Sequence, residues 1–268
     1  MPIPSHFIPS HVTPNDGCVW VTGASSGIGR AVCLELAKNG WIVAATARRQ
    51  DDLEALSREA QGLQGRIIAH PLDITDEAAV KQAVLTIEMA HGSIALAFLN
   101  AGIAPYIRAP NIDMVAIRQV FEVNVMGVFA CMAALMPIMA SRKRGQIAVT
   151  GSVAGYGGLP KSAAYGATKA AMIHACESLK FDCDGLGIKL QLVSPGFVAT
   201  PLTAKNDFPM PFLMSEAAAA KCVVEGFASK NFEIKFPWQL AYILKFVNLL
   251  PYSVYFWIVG KITGARGS

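Results

Sequence analysis

The sequence predicts a doubly wound α/β domain, with one parallel sheet of seven strands and helices on both of its faces. Three observations carry this. Seven short apolar runs alternate with six helix-period stretches along the chain, and parallel neighbours need such crossovers. The strand runs are continuously apolar, as burial on both faces requires. A glycine-rich turn, Gly23, Gly27 and Gly29, joins the first run to the first helical stretch, where a ligand site is expected in an open α/β sheet. The 268 residues are enough for a single domain that buries about three-quarters of its unfolded surface, and no internal repeat or low-complexity linker divides them.

In chain order, the first strand is expected at 19–21. The helix after the glycine turn shows its period through Ala31, Leu34 and Ala37 and closes at Gly40. The remaining strands are expected at 41–45, 66–69, 94–99, 146–150, 189–193 and 232–236, and the remaining helices at 51–61, 76–91, 111–142, 162–185 and 215–229. Residues 1–16 hold four prolines and two histidines without a basic-then-apolar order, so they read as a flexible leader and not a signal peptide. Residues 17–236 form the catalytic domain, with a substrate loop at about 200–215. Residues 237–268 form an apolar helical extension.

Composition excludes several classes. Hydrophobic residues make up 53% and charged residues 16%, which is incompatible with a disordered chain. A dispersed net charge of +4 is too mild for a nucleic-acid groove. The six cysteines show no paired spacing and no nearby histidine cluster, so they read as reduced core thiols in a cytoplasmic protein, with no metal site.

Glycines at 23, 27 and 29 let a phosphate approach the backbone. The helix starting near Ile28 offers it unpaired N–H groups. The second strand ends in Ala45-Thr46-Ala47 followed by Arg48-Arg49. Two cations there, and no carboxylate for a ribose 2′-OH, suit a 2′-phosphate, so NADP(H) is preferred to NAD(H). Tyr165 and Lys169 are four apart and share a helix face. An ammonium one turn away, together with an oxidised nicotinamide, is expected to favour phenolate and lower the tyrosine pKa.

Taken in order, Thr22-Gly-x-x-x-Gly-x-Gly29, Asn100-Ala-Gly102, Asn124 in Val-Asn-Val, Ser152, Tyr165 with Lys169, and Pro195-Gly196 resemble the single-domain branch of the short-chain dehydrogenase/reductase family, from about residue 18 to 200. The resemblance implies a Rossmann-type sheet and a catalytic set of Asn124, Ser152, Tyr165 and Lys169. Tyr165 is then the general acid, tuned by Lys169, which also bonds the nicotinamide ribose. Ser152 holds the carbonyl oxygen, and Asn124 anchors a water of the proton relay.

The cofactor set implied is Gly23, Ser25, Ser26, Gly27, Ile28 and Gly29, then Arg48 and Arg49. It continues with Asp73 and Ile74 at the adenine, Asn100, Ala101 and Gly102 beside its ribose, and Pro195, Gly196, Val198 and Thr200 at the nicotinamide, with Tyr165 and Lys169. Asp73 also reads as a plain turn residue, Asn124 as a helix-bending side chain and Thr200 as an N-cap. Ser25-Ser26 stand where NADP-preferring relatives often carry a base, which leaves the 2′-phosphate to Arg48, with Thr46 or Arg49.

The substrate walls are expected from Ala104, Tyr106, Val153, Tyr156 and Leu159, under an adaptable lid of Phe208, Met210, Phe212 and Met214. These residues suit an uncharged hydrophobic ketone or aldehyde. Alternative functions are reduction of a 3-oxoacyl thioester and a non-catalytic NADP-binding sensor or scaffold. The segment after Phe236 admits three roles: a subunit interface or pocket wall, peripheral membrane contact, or a membrane span. The resemblance also implies a homodimer or homotetramer, paired through the helices at 111–142 and 162–185.

Overall fold

The computed structural model describes residues 11–264. Seven strands form one all-parallel sheet: β1 (Cys18–Thr22), β2 (Ile42–Ala47), β3 (Arg66–Pro71), β4 (Ile94–Leu99), β5 (Gly145–Thr150), β6 (Ile188–Pro195) and β7 (Glu233–Phe236). Their spatial order is β3-β2-β1-β4-β5-β6-β7, which is the doubly wound, Rossmann-type arrangement. The order reverses between β1 and β4, so a crevice opens at the carboxyl ends of those two strands.

Side chains alternate across each strand, and the core divides accordingly. Val19, Val21, Val43 and Ala45 pack with α1 (Gly27–Lys38), α2 (Gln50–Glu59) and α7 (Glu216–Ala228). Cys18, Trp20, Ala44 and Ile147 pack with α3 (Glu77–His91), α5 (Gly127–Arg142) and α6 (Ala163–Gly185) on the other face. Cys18, Cys33, Cys131, Cys176 and Cys183 are buried in these layers. β5 and β6 are less apolar than the sequence suggested. Gln146, Lys189 and Gln191 are buried, and each donates to a carbonyl at the end of α7, Phe227 O or Gly226 O. These side chains thus cap orphan C-terminal carbonyls inside the fold.

Three expectations change in detail. The helix expected at 111–142 is divided into α4 (Met114–Phe121), a π-type turn (Glu122–Met126) and α5. Met114–Arg142 is long and apolar enough to cross a membrane, yet Val120, Val128, Cys131 and Leu135 are buried in the protein. Of the expected leader, residues 1–10 lie outside the described residues. Residues 11–16 are tied down: Val12 is buried and its N–H reaches Gln146 Oε1, while Asp16 pairs with Arg144 at 2.7 Å. Order therefore begins before residue 17. The extension consists of two short helices, α8 (Trp238–Asn248) and α9 (Tyr252–Thr263), with Pro251 capping the second.

Candidate active site

A cleft of about 580 Å³ lies at the reversal of strand order, and it draws on every β-to-α connection around β1, β4 and β5. Its floor is the glycine turn. Gly23 has φ +69°, and a Cβ there would lie 2.7 Å from Ala101 Cα. A Cβ on Gly29 would lie 2.3 Å from the Gly23 carbonyl oxygen, so this residue is demanded by backbone packing and does not line the cleft. Gly27 and Ile28 do line it. Ser26 begins α1 without a side-chain cap bond, which leaves the first-turn amides and the positive end of the helix for an anion.

Ser25, Ser26, Arg48 and Arg49 line the far end of the cleft. Arg49 forms an ion pair with Asp52 and donates to Ser25 Oγ at 3.2 Å, so a cation and a hydroxyl are presented together. Thr46 is buried at the end of β2 and accepts from Trp20 Nε1 at 2.9 Å. Asp73 and Ile74 line one wall. Asp73 Oδ1 accepts from the Thr75 N–H and hydroxyl at 3.0 and 2.9 Å, so Asp73 both shapes a turn and faces the cleft.

Asn100 holds three strand ends together. Its N–H donates to Thr22 Oγ1 at 3.0 Å, its amide reaches the Thr22 carbonyl, and its Oδ1 accepts from Thr150 Oγ1 at 3.3 Å. Ala101, Gly102, Pro195, Gly196, Val198 and Thr200 complete the walls. Thr200 is anchored by Thr203, whose hydroxyl accepts from the Thr200 N–H and donates to the Val198 carbonyl. A glycine cradle, an uncapped helix start, an arginine beside a serine and polar strand ends in one trough fit a dinucleotide.

Three of the four residues expected to do chemistry, Ser152, Tyr165 and Lys169, converge in this cleft. Ser152 follows β5 and is buried, its Oγ accepting from Ala154 N at 3.1 Å. Tyr165 and Lys169 reach in from the first two turns of α6. Lys169 Nζ donates to the Thr150 carbonyl at 2.7 Å and lies 5.7 Å from the centre of the Tyr165 ring. Burial lowers the Lys169 pKa to about 8.

Within the protein alone the Tyr165 pKa moves the other way. Burial raises it, and the Ser152 hydroxyl offsets only part of this, because a buried phenolate loses hydration. The surroundings of Tyr165 thus favour its protonated form. Asn124 does not line the cleft. It is fully buried in the π-type turn, where its Oδ1 accepts from Ile103 N at 2.8 Å and its Nδ2 donates to Ile103 O and Thr168 Oγ1. It thereby fixes the loop after β4 against α6.

A second chamber of about 770 Å³ adjoins the first and shares Ser152 and Tyr165 with it. Ala104, Tyr106, Val153, Leu159 and Phe208 line it as expected. Four expected wall residues do not. Tyr156 turns away to donate to Glu233 Oε1 at 2.5 Å. Met210 accepts from Asn206 Nδ2 at 3.2 Å outside the chamber. Phe212, with φ +59°, is exposed. Met214 pairs with Val198 in a short bridge and packs on the core.

Their places are taken by side chains that local sequence did not single out, Phe197, Leu240, Leu244 and Ile262. A cation is present as well. Lys161 lines the chamber, paired with Asp207 and 5.7 Å from the centre of the Phe208 ring. Tyr106 Oη donates to Asn206 Oδ1 at 2.6 Å, so the lid is bonded to the loop after β4. The alternating apolarity of α8, with Leu240 and Leu244 four apart, is the signal that could have found the new wall.

Comparison with known proteins agrees with this geometry. The family profile described as short chain dehydrogenase matches residues 17–209. An uncharacterized oxidoreductase of Myxococcus xanthus is 38% identical over 231 residues, covering 86% of this chain and 91% of its own. The 3-oxoacyl-(acyl-carrier-protein) reductase FabG of Thermotoga maritima is 30% identical over 250 residues, covering 92% and 95%. A crystal structure of a short-chain dehydrogenase/reductase from Burkholderia phymatum, in complex with NAD, superposes with a TM-score of 0.79 at 23% identity, covering 87% of this chain and 94% of that one. With its sheet order, glycine cradle and Ser152, Tyr165 and Lys169 in one cleft, the chain belongs to the short-chain dehydrogenase/reductase family of NAD(P)-dependent oxidoreductases.

Proposed function

We propose that the protein is an NADPH-dependent reductase, converting a hydrophobic ketone or aldehyde to its alcohol in the cytoplasm. The observation that carries this reading is the pairing of buried Ser152 with half-buried Tyr165 at the junction of a dinucleotide-sized trough and an apolar chamber. The cofactor, when bound, supplies hydride for the carbonyl carbon. The Ser152 hydroxyl donates to the substrate oxygen and stabilises its developing charge. Tyr165 Oη gives that oxygen its proton. Lys169, held by the Thr150 carbonyl, keeps a positive charge under the ring and offsets the negative charge left on Tyr165.

NADP is preferred because Arg49 after β2, although paired with Asp52, presents its guanidinium together with Ser25 of the glycine turn, and β2 ends in Ala47 and not in a carboxylate. A second reading, reduction of a 3-oxoacyl thioester, is favoured by the similarity to the Thermotoga reductase. Against it, Arg108 and Lys161 at the chamber are taken up by Asp207 and leave little for an anionic carrier. Exposed Phe129 on α5 and Phe181 on α6 suit pairing of two copies through those helices, as a homodimer or within a homotetramer.

The test is oxidation of NADPH and of NADH, followed at the nicotinamide absorbance with small ketones, bulky apolar ketones and an acyl thioester. Tyr165→Phe serves as the blank and should lose about 10²–10⁴-fold in rate. Arg49→Ala should weaken NADPH by roughly 10- to 100-fold and leave NADH unchanged. Equal use of NADH by the wild type rejects the phosphate assignment. Turnover confined to the thioester favours the second reading. Tight NADPH binding without turnover of any compound leaves a cofactor-binding scaffold.

A further inference from the structure

The two C-terminal helices have opposite characters on their two sides. The inner side is anchored: Leu240 and Leu244 of α8 line the second chamber, and Ile262 of α9, itself 60% exposed, stands at its rim. Lys245 pairs with Glu233, and Tyr255 Oη donates to the Gly158 carbonyl at 2.8 Å. Among the described residues the outer side is apolar and uncovered. Trp238, Tyr242, Phe246, Leu249, Phe256 and Trp257 are all roughly half exposed or more, Leu249 at 81%. Continuous patches of this kind on a folded protein mark interaction sites.

Charge and geometry indicate the occupant. Residues 237–268 contain Lys245, Lys261 and Arg266 and no aspartate or glutamate, whereas the preceding 236 residues hold 20 cations against 19 anions. By sequence three of the four net charges thus sit on this segment, Lys245 being paired with Glu233. Lys261 is exposed, 5.3 Å from the centre of the Trp257 ring. Tryptophan, tyrosine and lysine together suit the headgroup boundary of a membrane, whereas lysine is depleted where two proteins meet. α8 and α9 have 11 and 12 residues, or about 17 Å each at 1.5 Å per residue. Either is too short to cross about 30 Å of hydrocarbon, so the pair can only lie in the interface.

We propose that the outer face of α8 and α9 docks on an anionic lipid surface and that the substrate chamber opens beside it. Ile262, Thr263 and Gly264 of the α9 end belong to the chamber wall, so its rim is continuous with the docking face. An apolar carbonyl compound dissolved in lipid then reaches Tyr165 without crossing water. This last point rests on the reductase reading; the docking itself does not.

The test uses the full chain with vesicles of phosphatidylcholine alone and of phosphatidylcholine with roughly one-third phosphatidylglycerol. Flotation should recover the protein with the anionic vesicles. Trp20 and Trp41 are buried while Trp238 and Trp257 are exposed, so a blue shift of tryptophan emission on vesicles reports this face. Phe246→Ser with Leu249→Ser and Trp257→Ser should lose at least tenfold in partition. Lys261→Glu should lose roughly 30-fold on anionic vesicles only, since each charge near the surface is worth about fivefold.

Both variants should keep wild-type turnover of a small water-soluble ketone, which separates failure of docking from failure of the reductase reading. Absence of flotation and of the blue shift with both vesicles overturns the proposal. So does light scattering that shows the triple variant at half the wild-type mass without vesicle binding, because the face is then a contact between two copies. If the triple variant does not fold, Lys261→Glu decides alone.

Discussion

Replacing Lys169 by methionine should make the protein inactive and more stable. The amine is buried and its pKa falls to about 8, against about 10.4 for a lysine in water. At about 1.4 kcal/mol per tenfold, keeping this lysine charged costs the fold roughly 3 kcal/mol. Methionine has similar length and removes that cost. It also removes the 2.7 Å donation to the Thr150 carbonyl, and an unpaired buried acceptor costs about 1–2 kcal/mol. The net gain is about 1–2 kcal/mol near neutral pH, or a rise in Tm of roughly 2–4 °C for a chain of this size.

The sign of the pH dependence follows from the two pKa values. Between about pH 8 and 10 the unfolded chain holds the Lys169 proton and the folded chain does not, so wild-type stability rises with pH through that window. The advantage of Lys169→Met is therefore greatest below about pH 8 and closes by about pH 10. Thermal unfolding of both proteins, followed by circular dichroism at pH 7 and pH 10, measures this. A variant less stable than wild type at pH 7, or a gap that does not change with pH, refutes the reasoning, because desolvation would then not dominate at Lys169.

Three further outcomes are expected. Gly29→Ala forces a Cβ to 2.3 Å from Gly23 O and 2.6 Å from Asn100 Nδ2; calorimetry should find NADPH binding lost together with a lower Tm. Asn124→Ala deletes three buried hydrogen bonds, which at about 1 kcal/mol each lowers stability by roughly 2–4 kcal/mol in a denaturant titration. Its kcat should fall as the loop after β4 loosens. Asp207→Asn breaks the exposed pairs with Lys161 and Arg108. Steady-state kinetics should show a higher KM for bulky ketones, and Tm should not change, because such surface pairs add little stability.

Much of the fold and the cofactor trough was legible because both are built from local patterns. Each expected strand core lies within or within one residue of an observed strand, since a both-face-buried strand must be an apolar run bounded by breakers. The glycine turn was readable because Gly23 and Gly29 meet backbone, not changeable side chains. The substrate chamber was less legible. Tyr156 is recruited by Glu233, 77 residues away, and Met214 by Val198; such partners leave no mark in a neighbouring stretch of sequence. The π-type turn at Asn124 likewise depends on Ile103, 21 residues earlier, so the helix expected at 111–142 reads as unbroken.

The sequence by itself determined the alternation of strands and helices, the parallel sheet, the glycine-rich turn and the Ser152, Tyr165 and Lys169 set that meets in the cleft. Each of these depends on spacing along one or two elements. Only the tertiary structure shows that the surroundings of Tyr165, set by β5, α6 and the loop after β6, push its pKa up through desolvation, offset in part by the Ser152 hydroxyl. It also decided which side of the C-terminal helices lines the chamber and which is bare. Both sides are apolar in sequence, and only contact with the rest of the fold tells them apart.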